Sequence, residues 1–289
     1  MHLLADPSHM RAWSRAERAR GRRVAFVPTM GFLHEGHLRL VDRARERADQ
    51  VVMSIFVNPL QFGAGEDFAT YPRDVDRDKQ LASGRGVDGL FLPDAKAMYP
   101  ADPLVRVLPG PMADGLEGAA RPGHFAGVLT VVAKLFHLVE PDIAVFGRKD
   151  FQQAMLVRRM VDDLNFGLEV DIAPTVRELD GLALSSRNAY LHGDERRAAL
   201  ALSRALRAVE QAWRSGEADP GPLARRGLEV LRAPGVAPEY LALVDEQMRP
   251  VQRVDARTVV LVAAKVGQTR LIDNVVLGEG VASDVSVRA

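Results

Sequence analysis

The sequence predicts an α/β protein with a doubly wound parallel sheet, followed by a smaller C-terminal α+β domain. Strand-like and helix-like segments alternate through the first half of the 289-residue chain, which is typical of a parallel sheet covered by helices. In the second half, two helical patterns precede three strand-like runs. The length alone favours about two domains, and we place the division between residues 1–178 and residues 179–289.

The elements of the first half begin with a short apolar run at residues 24–27, which Pro28 ends. A helix follows at 36–48, with Leu38 and Val41 on one face. Residues 51–57 (VVMSIFV) are continuously apolar, as expected of a strand covered on both faces. The later elements are a helix at 75–83, a strand at 87–92, a helix at 127–139, a strand at 142–146, a helix at 151–164 and a strand at 168–173.

The second half begins with one long helix rich in Ala, Leu and Arg, predicted at residues 194–215. A second helix is predicted at 223–231. Three strands follow at 240–244, 258–264 and 269–277, separated by turn residues. Helices and strands that are grouped in this way are typical of a small α+β domain.

The composition excludes several classes of protein. Thirty-eight basic residues balance 38 acidic ones, so we expect no nucleic-acid partner of the kind that needs a basic excess. The chain has no cysteine, which rules out disulfides, thiolate metal sites and cysteine nucleophiles. We find neither a signal-peptide core nor the ~18 consecutive apolar residues of a membrane span. These features predict a cytoplasmic protein with no membrane partner.

The most informative segment is VPTMGFLHEGH at residues 27–37, between the first strand and the first helix. This position presents backbone N–H groups and the positive end of a helix, which suit phosphate. His34 and His37 are three residues apart and face the same way on a helical turn, where they can stabilise a phosphate whose charge grows during reaction. The alternative is a chance pair of surface histidines. A metal is disfavoured because comparable zinc motifs use i, i+4 spacing with a third ligand.

Polar residues also follow the other strands. Asn58 and Gln61 come after the second strand, and their neutral amides can bind hydroxyl or carboxylate groups; a loop-capping turn is the alternative for Asn58. Lys149, one of only five lysines, follows the strand at 142–146 and suits phosphate. A cation at a helix start is mildly unfavourable, which favours a functional role for it. Asp150 is either the cap of the next helix or a ligand for a ribose or a metal.

At the domain boundary, Ser185, Ser186 and Arg187 combine two hydroxyls with a guanidinium, which predicts a phosphate clamp.

Five segments, in this order, carry a family resemblance. They are PTMGFLHEGH (28–37), SIFVNPLQFG (54–63), RPGHFAG (121–127), GRKDFQQ (147–153) and LSSRNAYL (184–191). The first resembles the H-x-G-H signature of adenylate-forming nucleotidyltransferases, and its longer form resembles the pantoate–β-alanine ligases. The chain is therefore identified, by resemblance, as a member of the pantoate–β-alanine ligase family. Phe32 replaces a frequent alanine and Leu184 a common methionine, and neither departure removes a polar group.

The resemblance implies a Rossmann-like fold and an ATP-dependent ligase that condenses pantoate with β-alanine through a pantoyl adenylate, releasing AMP and diphosphate. It also implies Mg²⁺, a homodimer, and a C-terminal domain that closes as a lid over the adenylate. A superfamily enzyme that joins a phosphate ester to a nucleotide is disfavoured by the amide-rich substrate residues. Zero net charge and the lack of an anticodon-binding domain disfavour a tRNA synthetase. A regulatory module without turnover is disfavoured because every catalytic-type polar group is retained.

The family's functional residues carry over position by position. Gln61 and Gln153 are expected to hold pantoate. Substrate contacts are also expected from Asn58, Arg121 and His124; a helix-capping or dimer role is the alternative for Arg121 and His124. Catalytic roles are expected from His34, His37, Lys149 and Arg187, with His37 either as the proton donor or as a hydrogen-bond donor only. The expected nucleotide-binding residues are Met30, Gly31, Phe32, Leu33, His34, Glu35, Gly36, His37, Gly147, Arg148, Lys149, Asp150, Val176, Leu184, Ser185, Ser186 and Arg187. For Mg²⁺, Asp78 is preferred to Asp76.

Overall fold

The computed structural model describes residues 1–281 and 284–287, and these residues form two compact units. The first unit contains residues 1–147 and 152–173. The second contains residues 148–151 and the described residues from 174 onward. Within the described ranges, no helix has both the length and the apolar character that crossing a membrane requires.

The first unit is built on a six-stranded parallel sheet with the strand order β1-β4-β3-β2-β5-β6. Its strands are β1 (His2–Leu4), β2 (Val24–Thr29), β3 (Gln50–Ile55), β4 (Gly89–Phe91), β5 (Ile143–Gly147) and β6 (Glu169–Ala173). The helices along the same stretch are α1 (Pro7–Ala19), α2 (Glu35–Arg45), α3 (Val75–Gly84), α4 (Ala95–Met98), α5 (Glu117–Ala120), α6 (His124–Val139) and α7 (Phe151–Asp163). The predicted Rossmann-like α/β fold is confirmed.

The strand order reverses direction between β2 and β5. From β2 the chain adds β3 and β4 on one side, and then returns to add β5 and β6 on the other. Ligands of doubly wound sheets bind at this switch point, beyond the carboxyl ends of the strands. The switch point therefore lies at Thr29 and Gly147, where β2 and β5 end.

Two N-terminal elements were not predicted. β1 has only three residues, too few for a recognisable alternation. α1 buries Met10 together with the polar residues Ser14 and Glu17, so apolar residues mark only part of its buried face. A start signal was nevertheless present, because Asp6 caps the helix and Pro7 occupies its first turn.

The second unit contains an antiparallel sheet of order β10-β9-β8 and a parallel pair of β7 with β11. Its elements are β7 (Val176–Glu178), α8 (Gly193–Ala198), α9 (Leu200–Arg214), α10 (Pro220–Leu231), β8 (Val236–Val244), β9 (Val259–Val266), β10 (Thr269–Val276) and β11 (Val285–Val287). The predicted small α+β domain is confirmed, with the pair of β7 and β11 added. Its core contains Leu202 and Leu206 of α9 together with Val260 and Val262 of β9.

The single helix predicted at 194–215 is wrong in one respect, because the structure divides it into α8 and α9 at Ala199. The N–H of Leu202 donates to the carbonyl of Ala199, a bond across three residues instead of four. Such bonds tighten a helix locally and interrupt its regular ladder. Ala199 keeps helical dihedral angles (φ −57°, ψ −26°), so no residue preference in the sequence marks this position.

Candidate active site

The histidine motif forms the connection between β2 and α2 at the switch point. His34 caps α2, and its Nδ1 accepts the N–H of Gly36 at 3.1 Å. His37 bonds back, its Nδ1 accepting the N–H of His34 at 3.3 Å. This reciprocal arrangement is a capping box in which imidazoles replace the usual hydroxyl and carboxylate. It places the two ring centroids 4.1 Å apart, so the prediction that the rings face the same way is confirmed.

These hydrogen bonds also fix where the ring protons sit. Nδ1 of each neutral imidazole accepts a backbone N–H, so its proton must be on Nε2. Each ring then has an N–H donor on the side opposite the helix cap. Hydrogen-bond donors held in place in this way can stabilise negative charge that develops on a phosphate oxygen.

Backbone N–H groups of the same turn have acceptors within the first unit. Five of its N–H groups already donate within the turn or to Asp78, namely those of Gly31, Phe32, Leu33, His34 and Gly36. These bonds hold the turn itself, and the expectation that the segment binds phosphate stays a prediction. Glu35 pairs with Arg85 at 2.7 Å. The phosphate contacts of the two imidazoles stay predictions.

Asp78 on α3 is buried and accepts two of these N–H bonds, from Phe32 at 2.8 Å and Leu33 at 2.7 Å. Burial raises the pKa of the Asp78 carboxyl, and the bonds from Leu33 and Phe32 oppose that rise. Among the described residues, no group of three or more histidines and carboxylates is arranged to hold a metal ion. Both oxygens of Asp78 are used by the turn, and its magnesium role stays a prediction.

Gln61 lies in a short 3₁₀ turn after β3, and Asn58 orients its side chain. The Oδ1 atom of buried Asn58 accepts the hydroxyl of Tyr99 at 3.0 Å and the N–H of Leu60 at 3.3 Å. Its Nδ2 must therefore be the donor, and it donates to Oε1 of Gln61 at 3.0 Å. This contact directs the amide nitrogen of Gln61 the other way, to within 3.2 Å of the Met30 sulfur. Gln61 thus presents a donor, which suits a carboxylate or hydroxyl oxygen.

Helix α6 supports the Gln61 turn by direct backbone contact at Gly127. A Cβ atom built on Gly127 would lie 2.1 Å from the carbonyl oxygen of Leu60 and 2.6 Å from the nitrogen of Gln61. Nδ2 of Asn58 also reaches the Gly127 carbonyl at 3.2 Å. Only glycine allows the helix and the turn to approach this closely.

Arg121 and His124 hold the backbone of the same turn. Nδ1 of His124 lies 2.9 Å from the carbonyl oxygen of Gln61, and its Nε2 lies 3.1 Å from Nη1 of Arg121. Because the carbonyl can only accept and the guanidinium can only donate, the neutral ring carries its proton on Nδ1. Arg121 also pairs with Glu66 through contacts of 2.8 and 2.6 Å. Burial, reinforced by the charge of Arg121, lowers the pKa of His124 to about 4. The substrate contacts of Arg121 and His124 stay predictions.

The two adjacent glutamines of α7 have different environments. Gln152 is buried; its Oε1 accepts the N–H of Glu117, and its Nε2 donates to the carbonyls of Met112 and Gly115, all within 3.1 Å. It therefore fixes the loop before α5, a role that sequence reasoning missed. Gln153 points elsewhere because successive helical residues are rotated by about 100°. Its contact with pantoate stays a prediction.

In the second unit, Lys149 lies in a 3₁₀ turn formed by Arg148–Asp150. Asn274 of β10 donates to the carbonyls of Arg148 and Lys149 at 2.9 and 2.8 Å. The guanidinium of Arg148 bonds to Asp284 at 2.6 Å and also to Glu279. The contact of Lys149 with phosphate stays a prediction.

A buried ion network lies next to this turn. Arg177 is fully buried and forms a two-pronged pair with Asp273 at 2.6 and 2.9 Å, and a further bond to Asp284 at 2.6 Å. Burial opposes the charge of Arg177, but the two carboxylates outweigh it and raise the pKa of the guanidinium. Sequence reasoning missed this network, although an Asp-Asn pair within the apolar run LIDNVV was a signal.

The predicted phosphate clamp forms a second 3₁₀ turn, Ser186–Tyr190. Ser185 caps it, its hydroxyl oxygen accepting the N–H of Arg187 at 3.3 Å. The N–H of Leu184 donates to the carbonyl of Val176 at 2.9 Å, which ties the start of the loop to β7. The nucleotide contacts of these residues stay predictions.

Comparison with known proteins gives a consistent result. The family model for pantoate-beta-alanine ligase matches residues 2–276. Pantothenate synthetase from Heliobacterium modesticaldum is 51% identical over 279 residues, which is 96% of this chain and 99% of that protein. The crystal structure of pantothenate synthetase from Thermus thermophilus is 48% identical, covers 96% of this chain and 99% of its own, and has a TM-score of 0.91.

A further solved structure contains bound ligands. It is the pantoate-beta-alanine ligase from Francisella tularensis, complexed with beta-gamma ATP and beta-alanine. It is 33% identical, covers 97% of this chain and 99% of its own, and has a TM-score of 0.82.

Proposed function

We infer that this chain, which belongs to the pantoate–β-alanine ligase family, joins pantoate to β-alanine in a reaction driven by ATP. The family predicted from five ordered motifs is confirmed. The observation that carries the function is the set of polar groups at the switch point. A pair of imidazoles held by hydrogen bonds follows β2, and an oriented glutamine amide follows the neighbouring strand β3. The products are pantothenate, AMP and diphosphate.

We propose that the first step makes a pantoyl adenylate. A carboxylate oxygen of pantoate attacks the α-phosphorus of ATP, and the bond from that phosphorus to the bridging oxygen breaks as diphosphate leaves. The Nε2–H groups of His34 and His37 donate to the phosphate oxygens as negative charge accumulates. His37 is the proposed proton donor. Lys149 and Arg187 of the second unit, with the hydroxyls of Ser185 and Ser186, are assigned to the phosphates as further donors.

Amide side chains are assigned to the pantoate carboxylate and hydroxyl groups. The oriented Nε2 of Gln61 donates to pantoate, and Gln153 is assigned to the same substrate. Neutral donors leave the pantoate carboxylate nucleophilic, whereas a cation paired with it would reduce its reactivity. Alignment of two reactants in this way is itself a large source of rate enhancement.

The second step forms the amide bond. The amine of β-alanine attacks the acyl carbonyl of the adenylate, the bond between acyl carbon and AMP oxygen breaks, and the amine loses a proton. AMP leaves with the electron pair of that bond. This step needs no covalent bond to the protein, which is consistent with a chain that lacks cysteine.

Three further assignments accompany the function. Mg²⁺ is proposed to arrive with ATP, held mainly by phosphate oxygens, as is usual for this ion. A homodimer is proposed, supported by an exposed apolar segment that contains Leu104 (98% exposed), Val105 and Leu108. A cytoplasmic location is proposed because a cysteine-free chain suits a reducing compartment.

One assay tests the proposal. The protein is mixed with Mg-ATP, pantoate and β-alanine, and both AMP and pantothenate are measured. Exchange of labelled diphosphate into ATP should require pantoate but not β-alanine, because the adenylate forms before the amine reacts. If no small acid gives AMP, the ligase assignment is wrong.

A further inference from the structure

We propose that Asp78 is a positioning residue, whose buried carboxylate holds the turn between β2 and α2 in the conformation that presents His34 and His37. This inference rests on the proposed function of those two histidines. It also replaces the magnesium role considered for Asp78.

The carboxylate uses both of its oxygens on the turn. Oδ2 accepts the N–H of Phe32 at 2.8 Å, and Oδ1 accepts the N–H of Leu33 at 2.7 Å. Asp78 is 1% exposed, so water does not compete for these bonds. Two successive backbone N–H groups directed at two oxygens form a charge-assisted pair, which is stronger than neutral hydrogen bonds.

The turn needs such support because its backbone is strained. Gly31 and Phe32 both have positive φ angles, of 89° and 50°. This region is unfavourable for a side chain such as that of phenylalanine, and it persists only where surrounding contacts enforce it. The packing is also tight, since a Cβ atom on Gly31 would lie 3.0 Å from Oδ2 of Asp78 and 2.8 Å from a methyl carbon of Ile55.

The residue before Asp78 binds the other side of the turn. Nη1 of Arg77 donates to the carbonyl of Leu33 at 2.9 Å, and its guanidinium carbon lies 5.7 Å from the centre of the Phe32 ring. Leu33 is therefore held at its N–H by Asp78 and at its carbonyl by Arg77. These two successive residues of α3 form a clamp on the turn.

The clamp leads directly to the reacting groups. His34 follows Leu33, caps α2, and donates its own N–H to Nδ1 of His37. A displacement of Leu33 therefore moves one imidazole and breaks the bond that orients the other. An amide at position 78 has only one oxygen acceptor, and its NH₂ group would face a backbone N–H. A carboxylate is consequently required.

Asp78→Asn tests the proposal, with Asp76→Asn as the matched control. Asp76 lies on the same helix, its side chain is 90% exposed, and it pairs only with Lys79 among the contacts within α3. We expect Asp78→Asn to lower kcat for pantoate-dependent diphosphate exchange by about 10²-fold, the effect of a displacement near 1 Å at a reacting group. Asp76→Asn should retain wild-type kcat. Both variants are assayed well below their Tm and across a range of Mg²⁺ concentrations.

Two results would overturn the proposal. If excess Mg²⁺ restores the activity of Asp78→Asn, the carboxylate is a metal ligand; if Tm falls while kcat is unchanged, its role is only structural. Should Asp78→Asn fail to fold, Arg77→Met decides the matter, since Arg77 is exposed and its loss leaves the core intact. A fall in the kcat of Arg77→Met supports the clamp, and an unchanged kcat contradicts it. A wild-type protein without exchange activity would instead refute the proposed function.

Discussion

The side-chain amide of Asn274 donates a hydrogen bond to the carbonyl oxygen of Lys149, 2.8 Å away. A second bond from the same nitrogen reaches the carbonyl of Arg148 at 2.9 Å. The backbone that carries Lys149 is thus fixed by a residue of β10, 125 positions later in the chain. A lysine has a long, flexible side chain, so a fixed backbone limits the positions that its ammonium can reach.

Asn274→Ala should therefore lower kcat/KM for ATP. Loss of both bonds leaves one buried and one partly buried carbonyl without this donor and frees the turn. We therefore expect kcat/KM for ATP to fall about tenfold, as for loss of one buried hydrogen-bonding group. KM for pantoate should change little, because Asn274 and the Gln61 turn belong to different units. The control is Glu239→Gln, which removes an exposed ion pair with Arg270 on the same sheet. Equal falls in kcat/KM for ATP and for pantoate would contradict the assignment of the Lys149 turn to ATP.

Gly127→Ala should damage the pantoate site. The added methyl cannot fit against Leu60 and Gln61, so the turn must move away from α6. We expect a higher KM for pantoate and a loss of about 1–3 kcal/mol in the free energy of unfolding, which is typical of overpacking. Steady-state kinetics and urea unfolding measure these two effects.

Gly84→Ala is the matched control, since a Cβ at that end of α3 meets nothing within 4 Å. It should preserve KM for pantoate. A wild-type KM in Gly127→Ala would show that the close backbone contact does not position Gln61.

The stability of the fold should depend on pH through His124. Its pKa is about 4 in the folded chain and near 6.5 when unfolded, so the unfolded chain binds more protons between these values. Stability from this group is complete above pH 6.5 and is lost as the pH falls towards 4, by up to about 3 kcal/mol. Urea unfolding at a series of pH values measures it.

His124→Gln should remove the part of the pH dependence of the unfolding free energy that comes from this group. His192→Gln, at an exposed position, should retain it. Carboxylates also titrate at the acidic end of the range, so the comparison is between each variant and the wild type at the same pH. An identical pH profile in His124→Gln and wild type would mean that the ring is not held neutral.

His37→Ala should depress turnover about 10²–10³-fold, the usual cost of losing a fixed donor to a developing anion. Pantoate-dependent diphosphate exchange measures this effect on the first step alone. His137→Ala is the control because that histidine is exposed on α6. Circular dichroism must show an intact fold in both proteins. Wild-type turnover in His37→Ala would remove this residue from the mechanism.

The sequence by itself determined the fold class, the family and the end of the sheet where the chemistry lies. Apolar runs and helical spacing are local patterns, and they identified nearly every element of the first sheet. The predicted strands also located the polar residues, because parallel strands end at the same edge of a sheet and ligands bind there. His34, His37, Asn58 and Gln61 were all found from their position directly after a strand.

Only the tertiary structure decided which polar groups hold the backbone of the candidate site in place. Asp76 and Asp78 are equivalent in sequence, yet one is exposed and the other is buried against the histidine turn, because residues two apart on a helix point in different directions. The deciding bonds of Asp78, His124 and Asn274 join positions 45, 63 and 125 residues apart. Such bonds leave no periodic pattern in the sequence, since they arise from packing that brings distant segments together.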